Sequence, residues 1–336
     1  MRILVVRTDR IGDLVLTTPL AGILKKKMEG VRVDFLVSDY AAPILKGYKY
    51  VDHILTISKS YKIDKLVRKI KKKYDVAIVA HPEFRLAIAL YLATIPIRIG
   101  TGYRLYSLLF NRRVYEHRRY GGRHEIEYNI SLLRQLQVEP EFFPTYASVE
   151  ESPITIPDNS IVIHPGGLGS SLYWPSDRFL YLGKFLKKRG FNVYYLLGPA
   201  EVQMKEYYPN PIFQQFTLPE IGGILSKASL FIGSNSGILH IASAVNTPSI
   251  GIFPCAVNMN GTRWGPVGGI AVEPPLPECN RCIFERCRFY NCMGLISVER
   301  VGKIALSLLD GKIKLKTDRV LVYKGEEEPL SRLLKP

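Results

Sequence analysis

The sequence predicts two α/β domains, each with a parallel sheet covered by helices on both faces. Short β-branched runs alternate with segments of helical periodicity from Ile3 onward, and the alternation restarts after the proline-containing, acidic segment Glu150–Asp158. The chain of 336 residues also exceeds twice the roughly 150 that serve as a prior for one domain. We therefore expect domains at residues 1–152 and 159–310, followed by a peripheral tail at 311–336.

The first domain follows a βαβ rhythm. Its predicted strands are Ile3–Val6, Val31–Val37 and Val76–Val79, and its predicted helices are Leu14–Lys27 and Phe84–Ala93. Between Lys59 and Tyr74 the apolar residues keep helical spacing and most of the others are lysine, which indicates a helix with a basic solvent face.

The rhythm restarts in the second domain. Its predicted strands are Ile161–His164, Val193–Leu197, Leu230–Ile232 and Ser249–Phe253, and its predicted helices are Ser176–Arg189, Pro219–Lys227, Gly237–Val245 and Ser297–Leu309. Ser176 and Ser297 are the expected N-caps, because a serine hydroxyl accepts a backbone N–H of the first helical turn.

The composition indicates a folded, basic protein with anionic partners. Apolar residues make up 47% of the chain, and 46 Lys and Arg against 30 Asp and Glu give a net charge of +16. Such a surplus attracts nucleic acid, an anionic membrane or a phosphorylated small molecule. No nucleic-acid reader motif is visible, so we expect no nucleic acid. The first residues lack the apolar core of a signal peptide, which favours a cytoplasmic location.

The loop after the first strand contains a candidate catalytic acid, Asp13. In parallel α/β sheets, ligands bind beyond the carboxyl ends of the strands. This loop has neither the spaced glycines of a dinucleotide site nor the GK[ST] ending of a phosphate loop. Asp13 next to Gly12 is consistent with an acid that stabilises a helix start, or with a general base. Spacing alone leaves both interpretations open.

Two loops of the second domain have sequences typical of anion-binding sites. His164, Gly166 and Gly167 follow a strand, and glycines let backbone N–H groups approach a phosphate. In the segment Gly233–His240 a strand ends in small polar residues and a helix begins at once, which offers free N–H groups and a positive dipole end. These loops predict a phosphorylated donor on the second domain.

Four motifs together resemble glycosyltransferase family 9, the lipopolysaccharide heptosyltransferases. They are RTDRIGDLVLTTP at Arg7–Pro19, HPGG…YWPSDRF at His164–Phe179, GSNSGILHIASAVNTPSIGIF at Gly233–Phe253 and the cysteine cluster at Cys279–Cys292. They occur in order over about Met1–Leu309. The resemblance implies a GT-B fold, with two Rossmann-like domains facing a central cleft, the acceptor on the first and an ADP-sugar on the second.

The resemblance also implies a reaction and residue roles. Heptose passes from ADP-heptose, with inversion and without a catalytic metal or other required cofactor, to the lipid-anchored core oligosaccharide. Asp13 falls on the family's catalytic base, with Arg10, Gly12 and Thr17 beside it on the acceptor side. The donor-phosphate loop falls on Asn235, Ser236, Gly237 and His240. Glu201 falls where the family places an acid near the ribose, although an exposed acid at a helix start is an equally good interpretation.

Two positions depart from the family pattern. Leu172 stands where members usually have a lysine that neutralises donor phosphate, and Asn235 replaces an aspartate. Arg263 or Lys184 could supply the missing cation. The alternative function is therefore a nucleotide-sugar-binding protein of the same fold that has an altered donor or no turnover.

The spacing of Cys279, Cys282, Cys287 and Cys292 brings four thiols within fourteen residues, close enough for one tetrahedral structural zinc. Free thiols or paired disulfides are the alternatives. Cys255, which stands apart from the others in the sequence after a strand, is expected to be a buried small apolar residue.

The stretch Arg112–Arg123 contains five arginines. We expect Arg118 and Arg119 in it to bind an anionic acceptor or an anionic membrane surface, which would make the protein peripheral on the inner face of the inner membrane.

Overall fold

The structure is a computed structural model that describes residues 1–152, 154–167, 172–212, 216–280, 282, 287 and 291–325. The chain forms two compact units. The first comprises Met1–Arg118 and Glu125–Ser148, and the second comprises Arg119–His124 and Val149–Pro336. Both units are parallel α/β structures, as predicted.

The first unit contains a six-stranded parallel sheet in the order β3-β2-β1-β4-β5-β6. Its strands are β1 (Arg2–Arg7), β2 (Arg32–Ser38), β3 (His53–Ile57), β4 (Val76–Val79), β5 (Ile97–Thr101) and β6 (Arg112–Val114), and its α-helices are α1 (Ile11–Val15), α2 (Pro19–Lys27), α3 (Ile63–Ile70), α4 (Phe84–Leu92) and α5 (Glu125–Ile130). The central strands β1 and β4 are buried nearly throughout. This explains their continuous apolar sequences, because both faces of a parallel sheet are covered.

One predicted helix of this unit, Leu14–Lys27, is interrupted. It consists of α1 and α2, and the turn between them ends at Pro19, the first residue of α2. Proline is accepted there because an N–H at the first helical position would have no partner within the helix. The Thr18 hydroxyl donates to the carbonyl of Val15 at 2.7 Å and closes the turn.

The second unit contains a seven-stranded parallel sheet in the order β13-β12-β11-β10-β7-β8-β9. Its strands are β7 (Ser160–His164), β8 (Asn192–Leu196), β9 (Pro211–Ile212), β10 (Leu230–Ser234), β11 (Ser249–Ile252), β12 (Ile270–Glu273) and β13 (Leu321–Lys324), and its α-helices are α6 (Ser176–Lys187), α7 (Leu218–Ser226), α8 (Gly237–Ala244), α9 (Gly261–Trp264) and α10 (Val298–Leu309).

The two predicted serine caps have different outcomes. Ser297 caps α10, since its hydroxyl accepts the backbone N–H of Arg300 at 3.2 Å. The Ser176 cap is wrong, because the extended Pro175 occupies the N-cap position and Ser176 is already helical.

The segment after α10 differs from the expected peripheral tail. β13 pairs in parallel with β12 and extends the sheet, and the side chains of Ile313 and Tyr323 are buried. Residues 326–336 of the predicted tail lie outside the described residues. Within the described part of the chain, no helix is long and apolar enough to cross a membrane.

Both sheets have a strand order that reverses direction at one point. In the first sheet this switch point lies between β1 and β4, and in the second it lies between β7 and β10. Ligands of open α/β sheets bind in the crevice at such points. The loops that follow these four strands are therefore where the chemistry is expected.

Candidate active site

At the end of β1, a buried arginine binds the acids of the following loop. The side chain of Arg7 is 2% exposed. Its guanidinium donates two hydrogen bonds to Asp9, at 2.7 and 3.0 Å, and a third to the carboxylate of Asp13. The paired geometry with Asp9 matches the planar fork of arginine to a carboxylate.

Helix α5 adds two further partners for the same guanidinium. Nη1 of Arg7 lies 3.3 Å from Oδ1 of Asn129 and 3.5 Å from Oε1 of Glu125. We refer to Arg7, Asp9, Asp13 and Glu125 as the Arg7 cluster. The sequence patterns did not indicate that Arg7, Asp9, Glu125 or Asn129 belongs to the site. The four-residue spacing of Glu125 and Asn129, which places both on one helix face, was the available signal.

In this environment the pKa of Asp13 lies above that of an ordinary aspartate. Burial raises the pKa of Asp13 to about 6, against the opposing charge of Arg7 and with the help of Asp9 and Glu125. Burial acts in the same direction on Asp9, but the charges of Arg7 and His81 outweigh it and keep the pKa of Asp9 below its usual range. Asp13 is therefore the more basic carboxylate, and its side chain is 13% exposed.

The loop after β4 meets this loop at the switch point. Nδ1 of His81 lies 3.4 Å from Oδ2 of Asp9. On the other side, the hydroxyl of Tyr40 donates to the backbone carbonyl of Asp9. These contacts hold the loop that carries Asp13 from both neighbouring strands.

The residues expected on the acceptor side fall into different environments. Arg10 is exposed and precedes α1, and Gly12 is buried within α1. Thr17 is fully buried, and its hydroxyl donates to the carbonyl of Asp13 at 2.7 Å. Thr17 therefore fixes the turn after α1 in this structure, and its contact with an acceptor stays a prediction.

Of the two arginines that we expected to bind an anion, the structure describes the side chain of Arg118. Nη1 of Arg118 lies 2.5 Å from Oε1 of Glu125, which connects it to the Arg7 cluster. Its side chain is 28% exposed, so part of it remains accessible to an anion. The side chain of Arg119 lies outside the described residues.

In the second unit, Glu201 joins the loops after β7 and β8. Its carboxylate accepts the backbone N–H of Gly167 at 3.1 Å and that of Gly198 at 2.9 Å. A side chain at Gly166 would collide with Glu201, which explains the glycine there. Glu201 is buried, so the alternative interpretation as an exposed acid is wrong, and the carboxylate shapes the loop that contains Gly166 and Gly167.

The loop from β10 into α8 contains polar atoms that have no partner among the described residues. They are buried atoms on three side chains, namely Oγ of Ser234, Oγ of Ser236 and Nδ1 of His240. Ser236 is the N-cap residue of α8, whose first helical residue is Gly237. Buried polar groups without partners are costly, so their concentration near a helix N-terminus favours a binding site for a polar ligand. Asn235 contacts the carbonyl of Met259 at 3.4 Å.

Two buried histidines near this loop are neutral. Burial and the nearby His124 lower the pKa of His240 to about 3. Burial also lowers the pKa of His164, whose Nδ1 lies 2.8 Å from the carbonyl of Leu196. Neither ring therefore supplies a positive charge to a phosphate at neutral pH, although a neutral imidazole N–H can still donate.

The two candidates for the missing cation differ in position. Leu172 packs against the apolar core and supplies no charge. Lys184 is exposed on α6 above the ring of Tyr181. Arg263 belongs to α9, which follows the segment that Asn235 contacts. This placement favours Arg263 over Lys184.

Cys255 is buried, as expected, and the fold also brings it close to the cysteine cluster. Its thiol is 4.0 Å from that of Cys279 and interacts with Cys292. Burial raises the pKa of Cys279 to about 12. None of the five cysteines is in a disulfide. Among the described residues, which exclude 281, 283–286 and 288–290, no three His, Cys, Asp or Glu side chains could hold a metal ion. The zinc site stays a prediction.

Comparison with known proteins identifies the family. The family described as glycosyltransferase family 9 (heptosyltransferase) matches residues 63–272. Lipopolysaccharide heptosyltransferase 3 from Escherichia coli is 28% identical over 285 residues, which cover 75% of this chain and 83% of the relative.

Solved structures show the same fold. A glycosyl transferase family 9 protein from Veillonella parvula has a TM-score of 0.78 at 20% identity, covering 92% of this chain and 97% of its own. The ADP-heptose LPS heptosyltransferase II of E. coli has a TM-score of 0.74 at 18% identity, covering 93% and 99%.

The two Rossmann-like units and these structural similarities define the GT-B fold, and the family match defines a glycosyltransferase. The chain belongs to glycosyltransferase family 9, the heptosyltransferase family.

Proposed function

We propose that this enzyme transfers heptose from ADP-heptose to a lipid-anchored lipopolysaccharide core acceptor, with inversion and without a metal. The names of its relatives support the sugar and the pathway, since they include a lipopolysaccharide heptosyltransferase and an ADP-heptose LPS heptosyltransferase. The observation that carries the proposal is Asp13, a partly exposed carboxylate at the first switch point with a pKa raised to about 6.

In this mechanism Asp13 is the general base. The acceptor hydroxyl loses its proton to the Asp13 carboxylate while its oxygen forms a bond to the anomeric carbon. The bond between that carbon and the diphosphate breaks on the opposite face, and ADP leaves with the electron pair. A base with a pKa near the working pH is suited to this transfer, because it is mostly ionised and still basic enough to accept the proton.

The second unit is proposed to bind the donor. The free N–H groups at the start of α8, together with Ser234 and Ser236, are positioned to donate to the diphosphate. They can stabilise the charge of the departing ADP without a metal ion. Gly166 and Gly167 would let the backbone approach the nucleotide, in a loop whose shape Glu201 maintains. Arg263 is our candidate for the cation that replaces the lysine missing at Leu172.

The test is release of ADP from ADP-heptose in the presence of a core oligosaccharide acceptor and excess chelator. Acceptor-dependent release that the chelator does not reduce supports the proposal. Binding of ADP-heptose without any release would favour the alternative, a nucleotide-sugar-binding protein without turnover. The anomeric configuration of the product, determined by NMR, tests inversion.

We also propose that the enzyme acts in the cytoplasm, peripherally on the inner face of the inner membrane. The net charge of +16 supports attraction to anionic lipid. A lipid-anchored acceptor would itself require the active site to work at that surface.

A further inference from the structure

A short 3₁₀ helix of the first unit, Leu105–Leu109, exposes two leucines to solvent. Leu105 is 96% exposed and Leu108 is 76% exposed. Residues three apart lie on one face of a 3₁₀ helix, so both leucines project from the same side. Tyr106 and Leu109 pack against the core on the other side, and the Tyr106 hydroxyl donates to the carbonyl of Pro82 at 2.8 Å. The outward direction of the leucines is therefore fixed by the fold.

Exposed aromatic rings lie on both flanks of this helix in the sequence. The rings of Tyr103 and Tyr115 meet edge to face at 5.6 Å between centroids, and both side chains are exposed. The Tyr115 ring lies against Gly102, where any side chain would collide with it. We call Tyr103, Leu105, Leu108 and Tyr115 the Leu105 face.

The segment that carries this face is strongly basic. Between Phe84 and Arg118 the sequence has six arginines and one acid, Glu116. That acid is engaged internally, since it accepts the hydroxyl of Ser131 at 2.7 Å. Arg98 donates to the carbonyl of Leu109 at 2.8 Å, and Arg113 donates to that of Phe110 at 3.0 Å. These bonds place guanidinium groups beside the helix that presents the leucines.

Exposed leucines and tyrosines among arginines match the chemistry of an anionic bilayer surface. A leucine side chain is stabilised by burial at the boundary of the acyl chains, and a tyrosine ring is stable at the level of the headgroups. Arginine binds lipid phosphate. A nucleotide or a free sugar phosphate would use the arginines but leave the leucines in water. Positive charge also disfavours the pairing of two identical faces.

We propose that the Leu105 face docks the enzyme onto an anionic lipid bilayer. This inference rests on the proposed function, because a lipid-anchored acceptor requires the enzyme to work at the membrane. It assigns the contact to apolar side chains that we did not single out in the sequence, and not to Arg118, which is paired with Glu125.

The experiment measures binding to vesicles of phosphatidylethanolamine with phosphatidylglycerol, by flotation. The full-length protein should bind them more tightly than vesicles of phosphatidylcholine, and high salt should weaken the binding. The double variant Leu105→Ser/Leu108→Ser should bind at least about tenfold more weakly, because both leucines lose their apolar contact with lipid. Leu295→Ser, which changes an exposed leucine of the second unit, is the matched control and should bind as the wild type does.

Three results would overturn the docking proposal. The first is no binding of the wild type to the anionic vesicles, and the second is equal binding by the double variant. The third is a wild-type dimer in solution that the double variant does not form, which would make a second copy the occupant of the face. Turnover with a water-soluble acceptor fragment separates this proposal from the enzymatic one. The double variant should keep that turnover, whereas vesicle binding by a wild type without any turnover would contradict only the proposed function.

Discussion

Arg7 and burial act in opposite directions on the Asp13 carboxylate. Burial raises the pKa of Asp13 and the positive charge of Arg7 lowers it, so that it settles at about 6. Without the arginine, Asp9, Asp13 and Glu125 would repel one another in a largely buried site, where Arg118 would still contact Glu125. We therefore propose that Arg7 is a positioning residue, which orients Asp13 and sets the pH range in which it is ionised.

We predict that Arg7→Gln shifts the acid side of the pH–rate profile to higher pH. Loss of the positive charge leaves burial unopposed and raises the pKa of Asp13 further. The free energy of unfolding should also fall by about 3–5 kcal/mol, because buried carboxylates lose their partner. Both are measured on the same variant, by steady-state rates across pH and by chemical denaturation.

The control for this prediction is Arg2→Gln, at the other end of the same strand. Arg2 contacts the buried Asp34 at 3.1 Å, so its loss should also lower the free energy of unfolding, but it lies at the far end of β1 from Asp13 and should leave the pH profile in place. If Arg7→Gln keeps the wild-type pH profile, Arg7 does not set the ionisation of Asp13.

Ser236 gives a second prediction, in which two measurements change in opposite directions. Its hydroxyl is buried without a partner among the described residues, a cost of about 1–3 kcal/mol in the free protein. Ser236→Ala should therefore raise the melting temperature of the free protein and weaken ADP binding, measured by calorimetry. Ser226→Ala is the control, because Ser226 already donates to the carbonyl of Gly223 at 2.9 Å, and its loss should lower stability without affecting ADP. Unchanged ADP affinity in Ser236→Ala would remove this hydroxyl from the donor site.

Among the structural elements, the loops after β7 and β8 depend on one carboxylate. Glu201 accepts two backbone N–H groups that belong to different loops. In Glu201→Gln the side chain has one oxygen, so its NH₂ group would face one of the two backbone N–H groups. Two donors facing each other cannot form a hydrogen bond, so the loops could not keep their present separation.

We predict that Glu201→Gln weakens ADP binding by about tenfold, as expected from the loss of one hydrogen bond to a charged group. Calorimetric titration of the full-length protein with ADP measures this change. Glu206→Gln, an exposed acid in the same region of the chain, should bind ADP as the wild type does. Equal ADP affinity in both variants would mean that this loop does not contribute to the donor site.

The elements also show where sequence patterns reach their limit. Buried strands such as β1 and β10 are predictable, because their apolar runs end at small or charged residues. The break between α1 and α2 is harder to place, since Leu14–Lys27 keeps an apolar pattern through the turn before Pro19. Serine is a common N-cap residue, but the non-helical backbone of Pro175 makes Pro175 the N-cap and Ser176 the first helical residue.

For the whole molecule, the two α/β units and the positions of Asp13 and the α8 loop follow from the order of the elements. The Arg7 cluster does not, because Glu125 lies 118 residues from Arg7 and only the fold brings them together. The contact between Cys255 and Cys279 also depends on the fold. The pairing of β13 with β12 could not be predicted either, because the short apolar run of β13 lies within a charged segment. Contacts between segments that are far apart in the sequence were therefore the main features that the sequence patterns did not predict.

The pH dependence of turnover tests the central claim, that Asp13 is the catalytic base. We would measure kcat/KM for ADP release from ADP-heptose between acid and neutral pH, in the wild type and in Asp13→Asn, with ADP affinity determined for both. The wild-type rate should fall as pH drops below about 6, because the carboxylate gains a proton and can no longer accept one. Asp13→Asn should lower turnover by roughly 10²–10⁴-fold with ADP affinity unchanged. Near-normal turnover in Asp13→Asn would contradict the assignment of the base and the mechanism that depends on it.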